Sequence, residues 1–320
     1  MKNNIFAIAA VAAFALMATQ AYAAGSTTVT VNVSAGVAPS PTDLTAYLNL
    51  TPTGDVILNW TAANSSEVFN YVIYKTENYT AGFNFGQIFG KTPDASTTNF
   101  TDTSGNATDQ RFYVVRTNST SGQQDSNTVA VGKFNIKLSS GFNLVSFPMI
   151  LHPGNTTDYV AYIALGGDQI WRYDATDILD PYKKVDYFTG FGWFGDFSIL
   201  EQERGYWYNT MQPDFTTNQF NWTMTGRVAD STTRQIPIFN GFNLIGVTTL
   251  RDQDLNTFWT QPSGGDQVWR YDAFDTLDPY KKSDYFAGFG WFGDFSMLSP
   301  GRGYWYNSMN ATGYLQGYQP

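Results

Sequence analysis

The 320-residue sequence has no cysteine and a single histidine, His152. Lack of thiols excludes disulfides, thiolate zinc sites, cysteine nucleophiles and iron–sulfur clusters. One histidine excludes a two-histidine zinc site and leaves a Ser-His-Asp triad only His152 to use. Charge is scarce too: 14% of residues are charged, against about 25% in an average soluble domain. The 18 Lys and Arg against 27 Asp and Glu give a formal charge of -9, so no basic face for nucleic acid is expected. Long apolar runs are missing apart from Ile5–Met17, about 13 residues and too short to span a bilayer of roughly 30 Å as a helix. What the chain has instead is aromatics: 25 Phe, 20 Tyr and 9 Trp, or 17% of all residues. That composition calls for packed cores rather than disorder.

The Ile5–Met17 run follows Lys2 and precedes Ala21-Tyr22-Ala23-Ala24. This is the charged, apolar, small-residue order of a secretory signal peptide, expected over residues 1–24. The protein is therefore expected to be secreted, extracellular or at a cell surface, with no membrane span after cleavage. A secreted chain that cannot form disulfides relies on cores, sheet hydrogen bonds, bound ions or association.

Residues 25–37 hold Val29, Val31 and Val33 alternating with polar residues, the period of a half-buried strand. Such a strand pairs within its own chain or adds to a neighbour's sheet. Residues 38–133 contain short apolar runs between turn-rich stretches: Leu44–Leu48, Val56–Trp60, Val68–Tyr74, Asn99–Asp102, Phe112–Arg116 and Thr128–Val131. About seven strands in about 95 residues predict a β-sandwich. Pro41-x-x-Leu44-x-Ala46, Ile57-Leu58-x-Trp60, Tyr71-x-Ile73-Tyr74 and Phe112-Tyr113-Val114-Val115 together resemble a fibronectin type III domain. The resemblance implies a spacer or adhesive module.

The rest of the chain is an internal repeat, copy 1 at 134–230 and copy 2 at 231–320. Gly141-Phe142-Asn143-Leu144-Val145 recurs as Gly241-Phe242-Asn243-Leu244-Ile245, and Gly190–Ser198 recurs unchanged at Gly288–Ser296. Over Gly166–Asn209 roughly 35 of about 44 positions are identical to Gly264–Asn307, which marks a duplicated unit. The segments Pro153–Leu165 and Asp252–Ser263 hardly match. The Gly-Phe-Asn-Leu opening and the Arg-Gly-Tyr-Trp-Tyr closing, Arg204–Tyr208 and Arg302–Tyr306, resemble the "GWNL…GYW" β-repeats of prokaryotic secreted and surface proteins, with Phe142 and Phe242 where Trp is more usual. That implies extracellular architecture and no particular reaction.

Three residue sets invite chemistry. Trp171, Trp193 and Trp207 recur as Trp269, Trp291 and Trp305, and flat aromatic faces stack on sugar rings. The competing reading is core packing or contact between the repeats, with Tyr206 and Tyr208 on one sheet face and Trp207 on the other. Asp174, Asp177 and Asp180 recur as Asp272, Asp275 and Asp278. Calcium prefers several carboxylate and carbonyl oxygens and would serve as a staple in place of disulfides, while the alternative is turn-capping aspartates before Pro181 and Pro279. Sequons mark Asn32, Asn49, Asn64, Asn78, Asn99, Asn106, Asn118, Asn155, Asn221 and Asn310 as glycosylation candidates. An eleventh, Asn59, sits beside Trp60 and is expected to be too buried to modify.

A glycosidase needs two carboxyls flanking a cleft, and the best acids here occur in both copies, as structural or binding units often do. No phosphate-cradling glycine motif opens a helix. The chain is thus expected to be all-β: an N-terminal strand, a fibronectin type III-like sandwich and two duplicated β-rich domains. The function expected is that of a secreted, non-enzymatic structural or adhesive protein, self-associating or binding other surface proteins, without a catalytic residue or cofactor. The alternative is a carbohydrate-binding accessory protein that uses the repeated aromatics on a polysaccharide.

Overall fold

The computed structural model describes residues 40–49, 55–64, 66–79, 83–85, 87–105, 108–125, 130–152, 154, 156–160, 162–212, 220–228, 234–259 and 262–317. The expected signal peptide and the strand within 25–37 lie outside them. The regular secondary structure of the described residues is nearly all strand. Its first eight strands are β1 (Thr42–Leu48), β2 (Val56–Thr61), β3 (Val68–Thr76), β4 (Gly90–Lys91), β5 (Asn99–Asp102), β6 (Gln110–Ser119), β7 (Gly122–Asp125) and β8 (Val131–Leu138). One sheet runs β1-β2-β5, and a second contains β4-β3-β6-β8 with β7 hanging on β6. This is the strand order of a fibronectin type III sandwich, as the motifs implied. Its core is Leu44, Ala46, Val56, Leu58, Trp60, Tyr71, Ile73, Tyr113 and Val115.

The second sheet extends past the expected sandwich. Strands β10 (Met149–Leu151) and β15 (Phe220–Val228) continue it in the order β10-β15-β8, and β15 pairs with β8 from Phe220↔Leu138 to Arg227↔Val131. The boundary expected between 133 and 134 therefore falls inside β8, and a strand expected in copy 1 belongs to the sandwich sheet. The reason is legible in Phe112-Tyr113-Val114-Val115. Tyr113 and Val115 face the sandwich core, whereas Phe112 and Val114 face a second core with Ile136, Leu138, Phe147, Tyr206 and Tyr208. A strand buried on both faces shows no alternation.

The copies build matching five-stranded sheets. Copy 1 uses β9 (Gly141–Val145), β11 (Gln169–Tyr173), β12 (Tyr182–Phe188), β13 (Gly192–Gly195) and β14 (Tyr206–Thr210) in the order β13-β12-β11-β14-β9. Copy 2 uses β16 (Arg234–Gly246), β18 (Gln267–Tyr271), β19 (Tyr280–Phe286), β20 (Gly290–Gly293) and β22 (Gly303–Gly317) in the equivalent order β20-β19-β18-β22-β16. Registers match as well: Gln169↔Asp186 through Tyr173↔Tyr182 answers Gln267↔Asp284 through Tyr271↔Tyr280.

The copies diverge where each sheet is covered on its core face. In copy 1, Trp222 from β15 packs on Tyr208 at 5.8 Å and on Phe147 at 5.3 Å. In copy 2 a short helix, α1 (Leu255–Phe258), delivers Trp259, which stacks on Tyr306 at 4.6 Å. Beside it β17 (Gln253–Asp254) pairs with β21 (Met297–Leu298). Similar sheets thus receive different covers.

The two sheets meet reciprocally. Val145 bridges Arg302 and Ile245 bridges Arg204. The Ser146 N–H donates to the Gly301 carbonyl at 3.0 Å, and the equivalent Gly246 N–H to the Glu203 carbonyl at 2.9 Å. Contacts in which each partner offers the same surface define an approximate two-fold axis, here within one chain.

An aromatic cleft between the repeats

Along β11 the alternation places Ile170 in the core and leaves Trp171 and Tyr173 half-buried on the opposite face. On β14, Tyr206 and Tyr208 are buried and Trp207 takes the outer face, the split that strand geometry requires. Registers place Trp171 beside Trp207 and Tyr173 beside Tyr182. Copy 2 repeats this arrangement with Trp269, Trp305, Tyr271 and Tyr280.

Because the dyad turns these outer faces toward each other, they enclose one cleft of about 800 Å³. Its lining is Phe142, Trp171, Tyr173, Tyr182 and Trp207 from copy 1, with Phe242, Trp269, Tyr271, Tyr280 and Trp305 from copy 2. Every lining residue is aromatic and has a counterpart in the other copy. Tyr173 meets Trp305 edge-on at 5.0 Å, and Tyr271 meets Trp207 at 5.0 Å. Phe142 stands on Trp207 at 6.1 Å and Phe242 on Trp305 at 6.0 Å. Edge-to-face contacts of this kind are favoured by the ring quadrupoles, so the rings hold one another in place.

A polar ladder flanks the rings on each sheet, one pleat away. The Gln169 Nε2 donates to Asp186 at 2.8 Å, and Asn209 Nδ2 donates to the Gln169 Oε1 at 3.4 Å. The equivalent bonds in copy 2 are Gln267 to Asp284 at 2.8 Å and Asn307 to Gln267 at 3.3 Å. Lys184 lies 5.3 Å from the Trp171 ring centroid while paired with Asp186 at 2.9 Å. Lys282 does the same with Trp269 and Asp284. The cleft wall is apolar and its flank carries amides and neutralised charge.

The six expected tryptophans therefore split. Trp171, Trp207, Trp269 and Trp305 line the cleft. Trp291 is buried in the copy 2 core, and Trp193 packs half-buried against the copy 1 core. Trp193 and Trp291 sit beside Tyr187 and Tyr285 at 5.2 and 5.3 Å, on the covered face of each sheet. They are corrected to core residues. Sequence reasoning missed Phe142, Phe242, Tyr173, Tyr182, Tyr271 and Tyr280, although their recurrence in both copies was a signal for them.

The acidic triplets are hairpin turns. Asp174 accepts from the Thr176 N–H and hydroxyl, and Asp177 from the Leu179 and Asp180 N–H groups. Lys183 ion-pairs with Asp177 at 2.8 Å and Asp180 at 3.0 Å, while Lys281 pairs with Asp275 and Asp278. Hydrogen bonding from Lys183 and Lys281, with turn amides, holds the Asp177 and Asp275 carboxyls below the usual range. Asp272 lies 3.7 Å from Arg302. Among the described residues no three His, Cys, Asp or Glu gather closely enough to hold a metal ion.

A different acid proves central to each repeat. Asp168 is fully buried and accepts from Tyr208 Oη at 2.6 Å, the Met211 N–H at 2.6 Å and the Leu165 N–H at 3.1 Å. Asp266 takes the same role with Tyr306, Met309 and Ser263. Burial, followed by these carboxylates, pushes the Tyr208 and Tyr306 hydroxyls well above their ordinary pKa. Asn143 and Asn243 clamp the turns before β9 and within β16 in like fashion.

His152 is half-buried with its ring edge-on to Tyr47 at 4.5 Å, and burial lowers its pKa. Among the sequons, Asn64, Asn78, Asn99, Asn221 and Asn310 are exposed. Asn49 and Asn118 are half-buried, and Asn118 bonds Asn70 at 3.1 Å. Asn32, Asn106 and Asn155 lie outside the described residues. Asn59 is exposed on β2. That corrects the expectation of burial, since Asn59 and Trp60 occupy opposite faces.

No family model and no curated protein matches the chain. Among solved structures, a Fn3-like protein from Clostridium thermocellum is 27% identical, covering 28% of this chain and 88% of its own, with a TM-score of 0.23. The FN1-FN3 domains of chicken CNTN1 are 10% identical, covering 85% of this chain and 94% of their own, with a TM-score of 0.21. Among the described residues no helix is long and apolar enough to cross a membrane.

Proposed function

We propose that the protein is a secreted, non-enzymatic adhesive protein of a cell surface or extracellular matrix, and that it holds a polysaccharide in the cleft between its repeats. The observation that carries this reading is the cleft itself, ten aromatic rings in two equivalent sets of five. Aromatic walls with a few flanking amides are the chemistry of a site that grips the apolar faces of sugar rings and orients their hydroxyls. The sandwich, fused to copy 1 through a shared sheet, serves as a rigid mount.

Assembly through sheet edges has less behind it. At one edge of each repeat sheet, β13 and β20 have only four residues each, and short edges resist pairing; the opposite edge of the copy 2 sheet, β16, runs for 13 residues. The Trp291 N–H on β20 already donates to Asn256 at 3.1 Å. The donor strand expected within 25–37 lies outside the described residues.

The test is pull-down of the mature protein on a panel of insoluble polysaccharides, cellulose and chitin included. Binding to one of them is expected, with a loss of at least about tenfold on combining Trp207→Ala with Trp305→Ala. Unaltered binding by a folded double variant would remove the cleft from the reading.

A further inference from the structure

Resting on that reading, we infer that the cleft consists of two equivalent half-sites. They take an uncharged, β-linked glycan long enough to lie across the dyad and engage both. Three observations carry this. First, the halves match in geometry as well as composition: the contacts of Tyr173 with Trp305 and of Tyr271 with Trp207 are both 5.0 Å, at 68° and 67°. Half-sites this alike offer the same rings on either side of the dyad, so a directional chain seated across it meets an equivalent site whichever way it runs, and the two half-sites contribute equally to its binding.

Second, no charged side chain lines the cleft, and the nearest lysines are neutralised, Lys184 by Asp186 at 2.9 Å and Lys282 by Asp284 at 2.8 Å. An acidic polymer would lose its hydration here without gaining a free cation. A gluco-configured β-linked chain carries its hydroxyls around the ring edge and its C–H groups on the flat faces. It meets ring walls with its faces and the flanking amides with its edges.

Third, about 800 Å³ lies in the upper part of the roughly 300–1,000 Å³ range of small-molecule sites, which suits several sugar units rather than one. Joining two half-sites through one ligand turns the second contact into an intramolecular event. Affinity therefore rises steeply once an oligomer reaches both.

The experiment is calorimetric titration of the mature protein with cellotriose, cellohexaose and polygalacturonate, with light scattering on the same samples. Cellohexaose is expected to bind at least about tenfold more tightly than cellotriose, and polygalacturonate not at all. Trp171→Ala and Trp269→Ala are expected to weaken cellohexaose by the same factor. Tyr182→Ala and Tyr280→Ala, at positions about half exposed, provide a second symmetric pair should the tryptophan variants misfold.

Equal affinity for trimer and hexamer, unequal losses within a folded pair, or preference for the acidic polymer would overturn the two-half-site inference and leave the cleft a glycan site. Binding of another polysaccharide but not cellohexaose would overturn the assigned sugar class alone. Failure to bind any polysaccharide, with the cleft instead closed in dimers that Tyr182→Ala dissociates, would overturn both readings.

Discussion

At the scale of single residues, the repeat is held by acids and amides that fold inward. Asp168 is a buried carboxylate whose cost is met by three hydrogen bonds under 3.2 Å. Removing it leaves Tyr208 Oη and two amides without their acceptor, and buried unsatisfied groups are expensive. Asp168→Ala is accordingly expected to destabilise the protein by about 2–4 kcal/mol, read as a lower urea midpoint at unchanged slope. Asp266→Ala should cost a similar amount, since its bonds are the same. Asp177 and Asp180, by contrast, sit on an exposed turn, where water and salt screen their pairing with Lys183.

At the scale of elements, the cleft depends on how closely β14 and β22 approach the opposite copy's first strand. A Cβ on Gly205 would lie 2.7 Å from the Ile245 carbonyl oxygen, and one on Gly303 would lie 2.8 Å from that of Val145. Both neighbours are backbone and cannot swing aside. Gly205→Val and Gly303→Val are each expected to pry the sheets apart. The readout is faster hydrogen exchange at the Ser146 and Gly246 amides, which donate across the dyad, with little change in the sandwich. Protection unchanged in both variants would mean that the junction tolerates a wider spacing.

For the molecule as a whole, the sandwich and copy 1 form one body because they share a sheet. A chain ending at residue 133 would lose most of β8 and all of β15. Phe112, Val114 and Ala130, buried against copy 1, would then face water. That truncated chain is expected to aggregate or to give a broad, non-cooperative melt by circular dichroism, whereas one ending at residue 228 keeps both cores apart from Leu250 and should melt cooperatively. A sharp transition for the shorter chain would show that the sandwich is self-sufficient.

How much of this was legible in the sequence follows from the range of the forces involved. Period-two alternation is local, so it showed the strands and placed Trp207 opposite Tyr206 and Tyr208. Duplication is visible by comparison alone, so the recurrence of Trp171, Trp207 and their partners was plain, as was the all-β class. What a strand's second face packs against is not local. The shared sheet, the burial of Trp193 and Trp291 and the inward turn of Asp168 were decided only when distant segments met. The cleft is the clearest case. The sequence by itself determined that the same aromatic residues recur in both copies and that Trp207 stands on the face opposite Tyr206 and Tyr208, and only the tertiary structure, through the reciprocal bridges Val145–Arg302 and Arg204–Ile245, turned the two sets of rings to face each other.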